Sequence, residues 1–257
     1  MMKENVARDK KFEAELEDKH LLDELDSTKS VAGYFYPQVL RKGEEDWSIA
    51  QIGDIHNKRI LIYGSGGYIS LIRRLARGGA TIIAIDISPV AVGMIKAIEA
   101  EFKGQIHVLR MDAEALAFQT GSFDVVYARS IIHHLDLNIG QREISQVLKE
   151  SGMAVCIEPL GQNPVINLFR RTTPSIRSPS ERPLTIAEVE EFVSTFTKYT
   201  VRYCYLTVLP LLMIRRLMPN RLFERCLYVC DQIDQKLFQW IPWLRKFAWA
   251  VMLFCIK

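Results

Sequence analysis

Gly64-Ser65-Gly66-Gly67 follows the apolar run Ile60-Leu61-Ile62-Tyr63, and a carboxylate, Asp86, stands roughly twenty residues further on, at the end of a second apolar run. Glycines directly after a buried strand let the backbone pass close to a ligand and set a helix N-terminus beside it. A carboxylate at the end of the next strand can accept hydrogen bonds from both hydroxyls of a ribose. Met111-Asp112-Ala113-Glu114 follows a third apolar run, where an acceptor can meet an adenine amino group beside apolar contacts to the ring. Taken singly, Asp86 has a helix-capping or turn aspartate as its alternative reading, and Asp112 reads as a helix N-cap. In this order they describe a nucleoside site. The dinucleotide fingerprint would need glycine at position 69, where Ile69 stands.

A fourth run, Phe123 to Ala128, leads into Arg129 and Ser130 and then into His133 and His134. Histidine is the side chain best matched to proton transfer near neutral pH. His133 is therefore the candidate general base, with Glu158, at the end of a fifth run, as a second candidate. His134 reads equally as a cap on the segment that follows. The five cysteines include no CxxC pair. Cys226 and Cys230 can share a helix face, but without a nearby histidine they make a poor metal site. The expectation is reduced thiols and no metal.

The elements that must position these groups alternate. Arg59–Tyr63, Thr81–Asp86, Ile106–Arg110, Phe123–Ala128 and Met153–Glu158 read as buried strands; Ile69–Arg77, Pro89–Phe102 and Glu143–Glu150 read as helices. Ser88 before Pro89 fits a helix start. Strands apolar on both faces that alternate with helices predict a parallel sheet covered on both sides. Ligands of such sheets bind outside the carboxyl ends of the strands, where strand order reverses. Residues 159–183 read as a long loop. Thr185–Thr195 reads as a helix, Val201–Leu206 as a sixth strand and Phe247–Ile256 as a seventh, with a helical, apolar and basic insert over 208–246. The expected organisation is an N-terminal helical cap (1–58), an α/β core (59–206), and a lid insert with the last strand of the sheet (207–257).

Composition sets the remaining bounds. The chain has 257 residues, 49% hydrophobic and 25% charged, with a formal net charge of +3. That is ordinary globular composition, and the charge is too small to imply nucleic acid. Acids crowd the start (Glu13, Glu15, Glu17, Asp18) and bases the end (Arg215, Arg216, Arg221, Arg225, Lys236). No run approaches the ~20 apolar residues of a spanning helix, and the first residues start no leader-like apolar run. The expectation is a cytoplasmic protein. The insert reads either as a lid packed on the core or as a peripheral membrane surface, where arginines meet phosphates and Trp240 and Trp243 sit at the interface.

The series Asp112-Ala113-Glu114-Ala115-Leu116, Gly121-Ser122-Phe123-Asp124-Val125-Val126, His133-His134-Leu135 and Val147-Leu148-Lys149 with Gly152 resembles the core of the type 11, ubiquinone-biosynthesis-like group of class I S-adenosylmethionine-dependent methyltransferases. The resemblance covers roughly a hundred residues, about one domain core. It implies a Rossmann-like, doubly wound, seven-stranded and mostly parallel sheet, with S-adenosylmethionine as cofactor. By position, Tyr63, Gly64, Ser65, Gly66 and Gly67 would face its methionine part. Asp86 and Ile87 would hold the ribose, and Met111, Asp112 and Ala113 the adenine. Arg129 and Ser130 would lie beneath the sulfonium. Tyr34, Tyr36, His133, Asn163 and Arg177 are the residues expected around a small, apolar or lipid-like acceptor methylated on oxygen or carbon. Where the family carries an acid two residues before the first glycine, this chain has Ile62, and its glycine loop is one residue short. Two other readings stay open: a methyltransferase-like binding protein without activity, and a nicotinamide-dependent oxidoreductase.

Overall fold

The computed structural model describes residues 2–25, 38–66, 68–173 and 181–257. Its centre is one seven-stranded sheet of order β3-β2-β1-β4-β5-β7-β6. The strands are β1 (Arg59–Tyr63), β2 (Thr81–Asp86), β3 (Ile106–Arg110), β4 (Phe123–Arg129), β5 (Leu148–Pro159), β6 (Lys198–Cys204) and β7 (Ala250–Ile256). Strands β1 to β5 run parallel, and β7 pairs antiparallel with both β5 and β6.

Alternation along each strand explains why both faces are covered. Leu61 and Tyr63 of β1, with Ile83 and Ile85 of β2, enter one core; Ile60 and Ile62, with Ile82 and Ala84, enter the other. Helices α3 (Ile69–Arg77), α4 (Pro89–Glu99), α5 (Leu137–Val147) and α7 (Ile186–Ser194) make the flanking layers, after α1 (Met2–Leu25) and α2 (Gln38–Ile52). Ser88 caps α4 by accepting from the Ala91 amide, with Pro89 in the first turn. Thr185 and Glu188 form a reciprocal capping box at α7.

Three local expectations are corrected. The helix expected over 143–150 ends at Val147, and Leu148 to Glu150 open strand β5. Leu148 pairs with Phe123 and is fully buried there, so sheet packing wins. The register then shifts between Phe123 and Val125, and the Asp124 carboxylate accepts from the Arg59 amide and from Lys149 Nζ, each at 2.8 Å. Residues 159–183 are not all loop, since they contain helix α6 (Pro164–Thr172). Its N-cap is Asn163, whose side-chain oxygen accepts from the Val165 and Ile166 amides at 2.9 and 3.1 Å. His134 does not cap the segment after it; Asp136 does, accepting from Asn138 and Ile139.

Between β6 and β7 the insert folds as α8 (Val208–Met213), a short 3-10 turn (Arg215–Leu217), α9 (Asn220–Trp240) and a second 3-10 stretch (Pro242–Phe247). Leu209, Leu212, Phe223 and Leu227 close over Leu40 of α2 and Ile166 of α6. The Asp234 carboxylate of α9 is fully buried and accepts from the Leu206 and Thr207 amides at 2.9 and 3.0 Å, which anchors the helix to the end of β6.

Candidate active site

The chain order β1-α3-β2-α4-β3 builds outward from β1, and the chain then returns to lay β4 on the other side of β1. Strand order reverses there, at the carboxyl ends of β1 and β4, which is where sheets of this kind bind ligands. Gly64 leaves β1 with φ +75°, and Ser130 leaves β4 with φ +51°. Both are left-handed, and the two turns touch. A Cβ on Gly64 would lie 2.3 Å from Ile131 Cδ1. Gly64→Ala is expected to cost about 1–3 kcal/mol, from left-handed strain plus the displacement of Ile131. A thermal melt of the variant checks it, and an unchanged midpoint would refute the contact.

The glycine loop is held from below. The Ser65 amide donates to the Ile85 carbonyl at 2.9 Å; the Ser65 hydroxyl and Gly66 amide donate to Asp86 Oδ2 at 3.1 and 2.9 Å. Asp86 Oδ1 accepts from the Ser88 amide at 2.9 Å. A carboxylate offers about four acceptor positions. Three are filled within the chain, which leaves Asp86 one for a ligand hydroxyl. Tyr63 is fully buried beneath the loop and donates to the Ala113 carbonyl, so it braces β1 against the turn after β3 and has no face toward a ligand. Ile87 is half-buried, and its carbonyl accepts from Arg110 Nε at 3.1 Å. The Met111 amide donates to the Asp86 carbonyl at 3.0 Å, which sets the β3 turn beside the end of β2.

Helix α1 lies across this edge. Lys10 pairs with the Asp112 carboxylate and, at 2.7 Å, with Glu114. Burial opposes its charge, but these two acids outweigh burial and raise its pKa. Asp18 accepts from the Ser88 hydroxyl and, at 3.2 Å, from the Val90 amide. Glu13 lies 3.8 Å from His134 Nδ1. The acidic start of the chain thus roofs the carboxyl edge of β2, β3 and β4.

At the carboxyl ends of β4 and β5, Glu158 is the hub. It is 1% exposed, and Oε1 accepts from the Ile131 and Ile132 amides at 3.1 and 2.9 Å. Its Oε2 lies 2.6 Å from His133 Nδ1. A carboxylate only accepts, so the proton between them sits on Nδ1 and the lone pair on Nε2. His133 is buried, and burial lowers its pKa by more than Glu158 raises it, so the ring is neutral at pH 7. The His134 ring leans on it, centroids 4.1 Å apart. Burial would lower His134 as well, but Glu13 reverses the sign and its pKa is raised.

Arg129 is turned to helix α2. Its Nε and one terminal nitrogen each reach Glu44 Oε2 of α2 at 2.9 Å, and its guanidinium stands 5.4 Å from the centre of the Tyr68 ring. Tyr205 donates to the other Glu44 oxygen at 3.0 Å, and Tyr68 donates to the Arg129 carbonyl at 2.9 Å. Sequence reasoning missed Glu44, Tyr68 and Tyr205. Glu44 sits among other charges on α2, and only burial distinguishes it. Ser130 keeps its backbone at the switch point, its amide donating to the Ile157 carbonyl at 2.8 Å.

The structure therefore brings Gly64, Ser65, Gly66, Asp86, Met111, Asp112, Ala113, Ser130, His133, His134 and Glu158 to one edge of the sheet. Asn163, expected near the acceptor, is instead spent on capping α6 and on donating to the Phe247 carbonyl, and it is 2% exposed. Gly67, Tyr34, Tyr36 and Arg177 lie outside the described residues. Among the described residues no group of three or more metal-ligating side chains occurs.

Residues 62–156 match the family model described as Methyltransferase domain. A ubiquinone biosynthesis O-methyltransferase of Aeromonas salmonicida is 30% identical over 120 residues, 46% of this chain and 50% of that one. A demethylmenaquinone methyltransferase of Lactococcus lactis subsp. lactis is 29% identical over 128 residues, 48% of this chain and 50% of that one. The chain spans about half the length of these curated relatives. Among solved structures, phosphoethanolamine N-methyltransferase 2 of Haemonchus contortus, in complex with S-adenosyl-L-methionine, superposes with a TM-score of 0.62. The match is at 15% identity over 84% of this chain and 52% of that one, a likeness of fold. With the doubly wound sheet, the glycine turn and the carboxylates in their places, residues 62–156 of this chain are similar to the methyltransferase domain that the family model describes.

Proposed function

We propose that this protein transfers a methyl group from S-adenosylmethionine to a hydroxyl of a small, apolar, quinone-like acceptor. The observation that carries the reading is the buried His133–Glu158 pair at the carboxyl end of β4, beside the point where strand order reverses. The names of the curated relatives supply the acceptor class.

The residues present fit the cofactor by the chemistry of their donors and acceptors. Asp86, Asp112 and Glu114 follow one another along the edge from β2 to β3. They offer acceptors to a ligand whose ribose and adenine are rich in N–H and O–H donors and whose net charge is positive. Asp86 would take a ribose hydroxyl on its remaining acceptor position, and Asp112 and Ala113 would meet the adenine. Lys10 must release Asp112 for that contact, so α1 acts as the cover of the cleft. When bound, the cofactor supplies the electrophilic methyl.

The chain's own part is a proton. The acceptor hydroxyl passes its proton to His133 Nε2 as its oxygen bonds to the methyl carbon. Glu158 holds Nδ1–H, keeps the ring in that tautomer and stabilises the imidazolium that forms. The same base serves an acidic ring carbon, so transfer to carbon uses the same residues. Burial of the pair excludes the water that would compete for the proton.

Calorimetric titration with S-adenosylmethionine and S-adenosylhomocysteine tests the cofactor site. Wild type is expected to bind both. Asp86→Ala, which loses a charged hydrogen-bond partner, is expected to weaken binding by about 10–100-fold. Failure of the wild type to bind either ligand overturns the reading. Transfer of labelled methyl to catechol-type quinone precursors then tests the acceptor class.

A further inference from the structure

The apolar surface of the insert has a geometry that packing on the core does not use. Along α9 the buried stripe is Phe223, Leu227, Asp234 and Phe238. At about 100° per residue, Leu222, Val229, Ile233 and Trp240 form a second apolar stripe, roughly a third of a turn away. All four are exposed, Trp240 to 73%. Leu217, before the helix, is 85% exposed, and Trp243, after it, is 62% exposed. The helix has 21 residues, so the strip is about 30 Å long.

The charges are sorted around that strip. Arg225 and Lys236 fall on its open flank, with Arg221 behind them, and all three are exposed. Lys246 stands 5.7 Å from the centre of the Trp243 ring. The acids lie elsewhere. Asp231 is turned to Arg202, whose nitrogen lies 2.6 Å from both carboxylate oxygens, Asp234 is buried, and Glu224 projects on the side of the helix opposite the apolar strip. No helix of the described residues is long and apolar enough to cross a membrane.

We infer that this strip docks on the surface of an anionic lipid bilayer, with α9 lying in the interfacial plane. The leucines and tryptophans enter the headgroup–acyl boundary and the basic flank meets lipid phosphates. Charge complementarity selects this occupant. A second copy of the chain would bring the same basic row toward itself, and like charges facing one another oppose association. The inference rests on the exposed insert alone and is independent of the proposed reaction.

Cosedimentation of the full chain with phosphatidylcholine vesicles, with and without phosphatidylglycerol, tests it. Binding is expected only when phosphatidylglycerol is present, and to weaken with added salt. Trp240→Ser with Trp243→Ser is expected to weaken it on the order of a hundredfold, and Arg225→Gln with Lys236→Gln on the order of twentyfold. All four side chains are exposed, so the variants should keep the parent's melting temperature. No binding, equal binding to both vesicle types, or binding unchanged in the tryptophan variant would overturn the inference. So would a self-association that the same tryptophan substitutions abolish in place of vesicle binding.

Discussion

Glu44→Ala is expected to lower the unfolding free energy by about 3–5 kcal/mol, because it strands the Arg129 guanidinium in the interior. Glu44 is 1% exposed and Arg129 8%, and the two are held by the pair of 2.9 Å contacts on Oε2. Burial raises the Glu44 pKa even against Arg129, so desolvation is the larger effect at this carboxylate. A pair in that condition is poor evidence of net stabilisation, which sets a second expectation. Glu44→Leu combined with Arg129→Met should recover most of the loss, since no buried charge is left without a partner. Urea unfolding of Glu44→Leu, Arg129→Met and the variant that combines them closes the cycle. Additive losses would show that the two side chains do not depend on each other. Such a double variant should still lose transfer rate if the pair serves position: Arg129 is the last residue of β4, Tyr68 bonds its carbonyl, and Glu44 ties α2 and Tyr205 to that point.

The fold was legible because periodicity carries it. Ile60 to Tyr63 and Thr81 to Asp86 are apolar on successive residues, which only a sheet covered on both faces can bury, and the glycines after β1 mark the edge where such sheets bind ligands. Asp86 and Asp112 stand out in the sequence for the same reason: each directly ends or follows such a strand. What escaped depends on contacts far apart in sequence. Glu44 meets Arg129 across 85 positions, and Lys10 meets Asp112 across 102. No local pattern announces either partner. Asn163 misled because an amide beside a proline fits a helix cap and a ligand contact equally well, and only the bonds to Val165, Ile166 and Phe247 decide between them. Ile62 is the departure that the structure explains in packing terms: it is fully buried in the core under α3. A carboxylate on that face comes from α2 as Glu44 and is already matched by Arg129.

His133→Ala is expected to lower kcat by about 10²–10⁴-fold, the usual yield of a general base, and to leave S-adenosylhomocysteine affinity unchanged. The pH profile carries the sharper prediction. A base must be neutral to act, and burial holds the His133 pKa below the ordinary 6.5. The acid limb of kcat/KM should therefore fall below pH 6.5, and the rate should be flat from there through neutrality. The linked stability has the same sign. A depressed folded-state pKa contributes stability that is present above 6.5 and lost as pH falls through the folded value. His134 has the opposite sign: its raised pKa contributes stability below 6.5 that is lost as pH rises. A melt alone therefore mixes the two, and the kinetic limb separates them, because only His133 sits on Glu158. Glu158→Gln supplies the control. It removes the negative charge that raises the His133 pKa and leaves an amide oxygen able to accept Nδ1–H, so the acid limb should move further down while part of the rate survives. An acid limb that stays in place in Glu158→Gln, or a rate that His133→Ala leaves intact, would take the proton transfer away from this pair.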